Sequence, residues 1–416
     1  MAGVSFAPRC RDATGPCIHP AMTDAAFSFR KIAVPAYGPS LLYGVSNGAI
    51  LPVVALSARE LGASLAMSGL IAALIGVGSL LSNIPAALLT DRFGERRAIA
   101  GAALLSVVAL LLAIAAPNVA VLAVSMLVIG MASSVFILAR QTYLVEVVPL
   151  NLRARALSTL GGTTRIGVFA GPFAGAALIH LMGLSGAYWA AAAAMLVAGL
   201  IAILAPDLQA QNSSAGAGPA PNVRQVMRSH ARVFLTLGVG ILLVSALRAS
   251  RQVVIPLWAE QLGIDATTTS LIYGMVAAID MSVFYPAGKI MDQHGRVWVA
   301  MPCTLLMGFA LMGIPFTGGA VAFVLFSLIL GFGNGIGSGI VMTLGADASP
   351  PSGRVQFLGV WRLMSDLGSC GGPVLLSAVT AVAGLASAVF SIGALGWVAA
   401  AIFWRWLPRQ GKPKVG

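Results

Sequence analysis

Ala87-Leu88-Leu89-Thr90-Asp91-Arg92-Phe93-Gly94-Glu95-Arg96-Arg97 and Gly288-Lys289-Ile290-Met291-Asp292-Gln293-His294-Gly295-Arg296 are two versions of one loop, set 201 positions apart. The same offset carries Leu61-Gly62 onto Leu262-Gly263, Glu146 onto Asp347 and Pro149 onto Pro350. It also carries Arg153 onto Arg354 and Gly171-Pro172 onto Gly372-Pro373. A fixed offset across most of each half marks a tandem duplication of one structural unit. Within the loop, Gly94 and Gly295 permit a tight turn. Asp91 and Asp292 stand at a helix end, where a carboxylate can face the N-terminus of another helix and the nearby guanidinium groups.

Composition fixes the solvent of that unit. Hydrophobic residues make up 58% of the chain and charged residues 9%, against roughly 25% charged in a soluble domain. The mean hydropathy is +0.92. Twelve windows have about the 20 apolar residues that a helix needs to cross a bilayer. They lie near 34–57, 66–90, 98–117, 119–147, 156–181, 185–205, 233–258, 267–291, 297–316, 319–346, 355–382 and 385–406. Backbone amides in hydrocarbon must be satisfied internally, and runs of this length are helical, unlike the roughly ten-residue strands of a barrel. The expected fold is an all-α membrane protein of twelve helices in two parallel six-helix repeats.

Orientation follows from the cations. With both termini cytoplasmic, the inner loops hold Arg92, Arg96, Arg97, Arg153, Arg155, Arg224, Arg228, Arg296 and Arg354, and the tail adds Arg409, Lys412 and Lys414. The outer loops hold only Arg59, beside Glu60, with Glu260 and Asp265 on the other half. That is the positive-inside asymmetry, so the net charge of +12 reports a membrane orientation. A nucleic-acid surface would need clustered cations with aromatics among them, and neither is present. Trp189 and Trp258 fall at expected outer ends and Trp298, Trp404 and Trp406 at inner ends, positions that suit the headgroup layer or ordinary packing. The expected partners are a lipid bilayer and a small-molecule solute, with no nucleic acid, in a monomer of a bacterial-type inner (plasma) membrane.

The division expected along the chain is a disordered tail over 1–31, a six-helix bundle over 32–205, a cytoplasmic linker over 206–231, a second bundle over 232–407 and a cytoplasmic tail over 408–416. Cys10, Cys17 and His19 in the first tail lack metal-ligand spacing, so no metal is expected. That tail is either disordered or precedes a start at Met22. The linker is polar through 211–221 and then basic, with Arg224, Arg228 and Arg232 at four-residue spacing. Cys303 and Cys370 lie inside windows, so no disulfide framework is implied.

The paired loops resemble the signature G-x-L-x-D-R-x-G-R-R of the major facilitator superfamily, most closely its twelve-helix efflux-type members. The first copy departs at Ala87 and Glu95, and the second restores both positions with Gly288 and Arg296. The resemblance implies a conformational gate made of Asp91, Arg92, Gly94, Arg96, Arg97, Arg153, Gly288, Asp292, Gly295, Arg296 and Arg354. A second stretch, Gly167 to Ala176, is similar to the G-x-x-x-G-P-x-x-G-G motif of superfamily exporters. Its Gly167, Gly171, Pro172 and Gly175, with Gly368, Gly372 and Pro373 in the second half, imply close helix packing and tilt the direction of transport outward. Gly331, Gly335 and Gly339 form one small-residue stripe, suited to close contact or flexing, and nothing there matches a dinucleotide fingerprint.

Ionisable groups at membrane depth are expensive and usually functional. Arg248 lies roughly 22 Å into window seven, with Arg251 and Gln252 on the same face, and Asp280 is roughly 18 Å deep in window eight. Arg248 and Asp280 are expected to meet near the midplane. Arg165 and its counterpart Asp366 carry opposite charge roughly 14 Å from the inner surface. They either face each other across the two halves, or Arg362, one turn away, pairs with Asp366. Arg140 and Gln141 either add polarity to the cavity or snorkel to headgroups, and Asn47 and Asn334 are further cavity candidates. Asp280, then Asp366, are the candidate proton-coupling groups, since burial raises an aspartate's pKa and a nearby arginine lowers it.

No Ser/His/Asp, metal or nucleotide constellation is present, so an enzyme is not expected, and a proton gradient takes the place of any cofactor. The expected function is alternating-access transport of a small organic solute by a proton-coupled exporter (antiporter). The alternatives are a proton-coupled importer of an organic anion and, from another class, a non-transporting receptor or scaffold.

Overall fold

The computed structural model describes residues 29–148, 153–204, 223–337, 339–350 and 354–407. The expected first tail up to residue 28, linker residues 206–222, the last tail over 408–416, and the side chains of Asp91, Arg153, Asp292 and Arg354 lie outside the described part.

Every described element is a helix or a turn, and most of the long helices end just before a Gly or Pro. The first crossing, α1 (Phe29–Ile50), continues after a short break as Val54–Glu60. Then follow α2 (Leu65–Phe93), α3 (Glu95–Ile114), α4 (Val119–Val147), α5 (Arg153–Met182) and α6 (Ser185–Leu204). The short helix Val223–Ser229 precedes α7 (Val239–Gln261), which is entered through a wider π turn at Phe234–Gly238. The second half proceeds with α8 (Ala266–His294), α9 (Val297–Gly313) and α10 (Ala320–Ile336), the last resuming as Ile340–Ala348.

Arg354–Trp406 runs on as helix for 53 residues, broken at Gly384 with φ 81° and ψ 166°. Its apolar span of 51 residues would reach about 76 Å at 1.5 Å per residue, more than twice the ~30 Å hydrocarbon core. It is therefore two crossings, α11 (354–383) and α12 (385–406). Eleven described helices are long and apolar enough to span a membrane, and the break in the last brings the crossings to the twelve read from the sequence.

The duplication is written in the backbone. Glycines with positive φ occur at Gly62 and Gly263, Gly94 and Gly295, and Gly183 and Gly384, three pairs each 201 apart. Gly94, Gly295 and Gly384 combine that φ with an extended ψ, a region essentially closed to other residues. Helix starts repeat too: Ser64 Oγ accepts the Met67 N–H and Asp265 Oδ2 accepts the Thr268 N–H, at 3.2 and 2.9 Å.

Packing repeats with the same offset. A Cβ on Gly167 or Gly171 would strike the carbonyls of Leu41 and Val45, and one on Gly368 or Gly372 those of Leu242 and Ala246. Gly48 is packed against Pro172, and Gly175 against Ala49. The α1–α5 and α7–α11 pairs are thus held backbone to backbone, the use of small residues that lipid-embedded helices favour. Gly331 and Gly335 meet the carbonyls of Val276 and Asp280 in the same way, and α10 also breaks at Gly337. The stripe therefore provides both close contact and a bend.

A large apolar core lies within α1–α6 beside a small one of Leu144, Val148, Ala156 and Leu160, and two more lie within the second half, one of them reaching across to Ala55. Among the described residues the halves meet mainly along α2–α11 and α5–α8, and where Val54–Glu60 touches α7. Among the described residues no comparable contact joins α4 to α10, and at the Arg59 end the segment Val54–Glu60 bridges to α7.

The tryptophans behave unequally. Trp189, Trp298, Trp404 and Trp406 are exposed, but Trp258 is only 6% exposed and donates its indole N–H to Thr317 Oγ1 at 3.1 Å. Of the two readings left open for Trp258, packing is the one that holds, because a partner hydroxyl is available inside the bundle. Cys303 and Cys370 are buried free thiols.

Candidate functional site

A cavity of about 220 Å³ lies at the seam of the halves, lined by Arg165 and Val168 of α5, Arg248, Arg251 and Gln252 of α7, Ala277, Asp280 and Met281 of α8, and Asn334 of α10. The α5–α8 contact that joins the halves brings Arg165 and Val168 into a site otherwise made by the second half. Three cations face one carboxylate.

Arg251 Nη2 lies 3.6 Å from Asp280 Oδ2, with side chains 12% and 19% exposed. Asn334 Nδ2 donates to the same oxygen. Arg248 does not meet Asp280 as expected from the sequence: its Nη2 donates to the carbonyl of Gly337, where α10 breaks. The end of a helix presents unpaired carbonyls and a negative dipole, so a cation is stabilised there. Arg248 caps the bend, while its neighbour one turn on takes the carboxylate.

Arg165 lies over the Phe284 ring of α8, 4.5 Å from its centroid. It joins the Asp280 cavity and does not face Asp366, because α5 packs on α8. Asp366 sits instead in the α2–α11 seam. There Asn83 Nδ2 donates to its Oδ2 at 3.2 Å, Ser134 Oγ donates to Asn83 Oδ1 at 2.8 Å, and Arg362 Nε lies 3.9 Å from Asp366 Oδ2. The i,i+4 pair with Arg362 is the arrangement that holds.

Buried ion pairs are weak contributors to stability, because desolvation offsets the attraction. The cavity is costlier still, since Arg248 Nε, Arg251 Nε and Nη1, and Asn334 Oδ1 are buried without a hydrogen-bond partner. Each unsatisfied group costs about 1–3 kcal/mol, more when charged. A site that retains such groups is organised for something other than stability.

Three candidates lie away from this cavity. Arg140 is 5% exposed, with the Tyr43 and Phe136 ring centroids 5.9 and 5.7 Å from its guanidinium carbon, and it donates to Thr164 Oγ1 at 3.4 Å. Its burial inside the first half excludes snorkelling. Asn47 donates to the Tyr43 hydroxyl at 3.3 Å and lines a pocket of only about 10 Å³ with Ser46, Ser106 and Ser133. Gln141 is half-buried and does not line the main cavity.

At the loop end, Arg296 Nε bonds Asp347 Oδ2 at 2.9 Å and Nη1 donates to the Met291 carbonyl at 2.9 Å. This ties the α8–α9 loop to the end of α10. Arg96 donates to the Ile203 carbonyl, Arg92 stacks near Phe93, Arg97 is exposed, and Gly288 has open space around it. At the opposite end, Arg59 Nε bonds Glu260 Oε1 at 2.9 Å and Nη1 donates to the Ala63 carbonyl at 2.7 Å. Arg59 and Glu260 are equivalent positions of the duplication, 201 apart, so this pair joins the halves at matching points.

Three of these participants were not singled out from the sequence: Arg59 and Glu260 were read only as loop charges, and Asp347 only as a repeat landmark. The signal for the first two was present in the same offset, which places opposite charges at matching positions.

The family model of the Major Facilitator Superfamily matches residues 40–373 and 237–416. The chain belongs to the Major Facilitator Superfamily. Among solved structures, a D-xylose–proton symporter aligns over 92% of this chain and 98% of its own, with TM-score 0.68 and 16% identity. A POT family transporter in complex with 5-aminolevulinic acid aligns over 91% and 96%, with TM-score 0.75 and 14% identity. A bacterial homolog of the human lysosomal transporter Spinster aligns over 91% and 97%, with TM-score 0.74 and 14% identity. At these identities the likeness shows the superfamily fold. In sequence, YwtG of Bacillus subtilis (strain 168), which carries the name of a metabolite transport protein, is 35% identical over 119 residues. That match spans 29% of this chain and about a quarter, 26%, of YwtG.

Proposed function

We propose that this superfamily member is a proton-coupled secondary transporter of a small organic solute, working by alternating access. The observation that carries the proposal is the Arg251–Asp280 pair inside a cavity at the seam of two halves, which Arg59 and Glu260 join at matching positions. Rocking the halves about that seam exposes the cavity to one side and then the other, and Asp280 is the proton site, with Asp366 in the second seam. The end bearing loop 91–97 is cytoplasmic, as the distribution of arginines supports. The protein then sits in the inner membrane with both termini inside and acts as a monomer on a solute, as a transporter and not as an enzyme.

Outward antiport is the direction that the Gly167–Ala176 resemblance supports. Import of an organic anion with a proton is a second reading, favoured by one observation: three arginines against one aspartate in the cavity. Solute flux in inverted membrane vesicles, with and without a pH gradient, separates the two by its sign. If neutralising Arg251 and Asp280 leaves flux intact, the cavity is not the pathway and a receptor or scaffold is favoured.

A further inference from the structure

We propose that the cavity binds a small organic monoanion with an apolar body, whose carboxylate replaces Asp280 on Arg251 while Asp280 takes up one proton. The proposal rests on the second reading above, import of an organic anion together with a proton, and names its solute class and the order of its charges.

The lining decides the class. A cation entering would meet three guanidinium groups, and a neutral polyol would find few acceptors beyond Asp280 and the amides of Gln252 and Asn334. An anion meets the guanidinium groups of Arg248 and Arg251 in the cavity wall. Val168, Ala277 and Met281, with the Phe284 ring under Arg165, supply an apolar wall for the rest of the molecule. A volume of about 220 Å³ falls below the roughly 300–1,000 Å³ of sites for drug-sized ligands, which sets the scale to a small carboxylate.

The exchange follows from geometry. At 3.6 Å the Arg251–Asp280 contact is longer than a charge-assisted hydrogen bond, so a carboxylate docked on Arg251 Nη2 displaces it. Asp280 then keeps Asn334 but loses its counter-charge. A proton from the open aqueous side binds a carboxylate oxygen of Asp280, and no other bond forms or breaks. The other ionisable groups facing Arg251 and Asp280 are Arg165 from α5, Arg248 from α7, Tyr273 from α8 and Cys303 from α9, and α10 contributes only the neutral Asn334. Asp280 is the one carboxylate among them. Solute and proton are therefore bound together, and each strengthens the other, as linkage requires.

The test uses the full-length protein in detergent with benzoate and hexanoate as anions, benzamide as the neutral isostere and benzylammonium as the cation. Thermal unfolding reports binding, and proton uptake is read in weak buffer. The expected result is stabilisation by at least one of the two anions and by neither isostere, with about one proton taken up per anion and affinity rising up to tenfold per unit fall in pH. Asp280→Asn should bind the anion without pH dependence. Arg251→Ala should lose the anion, and Arg251→Lys, which keeps the charge and guards against misfolding, should weaken it and retain the pH slope. Binding of benzamide or benzylammonium as tight as that of benzoate, proton release on binding, an unchanged pH slope in Asp280→Asn, or no stabilisation by either anion overturns the proposal. Tracer flux of whichever probe binds, into vesicles reconstituted with the protein, judges the transporter reading separately.

Discussion

The two halves share a backbone and differ in charge. Gly167 and Gly171 press on the carbonyls of Leu41 and Val45 as Gly368 and Gly372 press on those of Leu242 and Ala246. Yet where the second half has Arg248, Arg251, Asp280 and Asn334, the first has Asn47, Ile50, Ser79 and Ser133 at the matching positions. The first half closes around a pocket of about 10 Å³, and the second opens into one of about 220 Å³. Duplication has preserved the parts that set helix approach, where a methyl group has no room, and has released the parts that only line a space. The solute chemistry is concentrated in the second half, with Arg165 as the first half's contribution.

If the shared packing is structural in both halves, Gly171→Leu and Gly372→Leu should fail alike. Each places a branched side chain against a backbone carbonyl, overpacking at or above the upper end of the ~1–3 kcal/mol typical of such insertions. Loss of the monodisperse peak on size exclusion for both variants is the expected outcome, and survival of either would break the symmetry.

The charge asymmetry gives the next largest effect. Arg251→Ala leaves Asp280 buried without its counter-charge and should destabilise by about 3–5 kcal/mol. Replacing the pair by Arg251→Met with Asp280→Leu should restore stability to within ~1 kcal/mol of the native protein or above it, while abolishing proton-driven flux. Thermal unfolding of the two variants side by side checks this, and a double variant that transports would remove the pair from the mechanism.

The helix starts sharpen the comparison at smaller scale. Thr268 donates its hydroxyl and its backbone N–H to Asp265, and these bonds hold that carboxyl below the ordinary carboxylate range. A depressed folded-state pKa adds stability above the unfolded value and loses it as pH falls through the folded one. The Asp265 cap should therefore fade below about pH 4, whereas Ser64 at the matching position should be insensitive to pH. Asp265→Ser should flatten the acid limb of the unfolding curve. Asp265→Ala should lose about 1 kcal/mol at neutral pH.

Arg59→Ala should have the smallest effect on stability, below ~1 kcal/mol, since both side chains of the pair are about a third exposed and screened by solvent. Its effect belongs to the balance between conformations, and raising the salt concentration should shrink the difference from the native protein.

Much of this was legible in the chain. Twelve apolar windows and one offset sufficed for the fold, and the offset alone pairs Gly62 with Gly263 and Gly183 with Gly384. The site was legible in composition and not in pairing. Helical spacing places Arg248 and Arg251 on one face, but which of them reaches Asp280 depends on the break in α10 at Gly337, whose carbonyl takes Arg248. Arg165 and Asp366 are matched in sequence but diverge in space, because α5 packs on α8 and α11 on α2. Depth along a helix is a local property that periodicity reports. The identity of the facing helix is a tertiary one, and no spacing within a single segment carries it.

The central claim is that two rigid halves pivot so that one end opens as the other closes. Spin labels at the exposed pair Phe93 and His294, which are equivalent positions at one end, and at Leu61 and Leu262 at the other, report both openings by pulsed dipolar spectroscopy. In an Arg59→Glu background, which places like charges opposite Glu260, the account predicts a longer 61–262 distance together with a shorter 93–294 distance. Two distances that lengthen together, or a 93–294 distance that stays fixed while 61–262 opens, would contradict it.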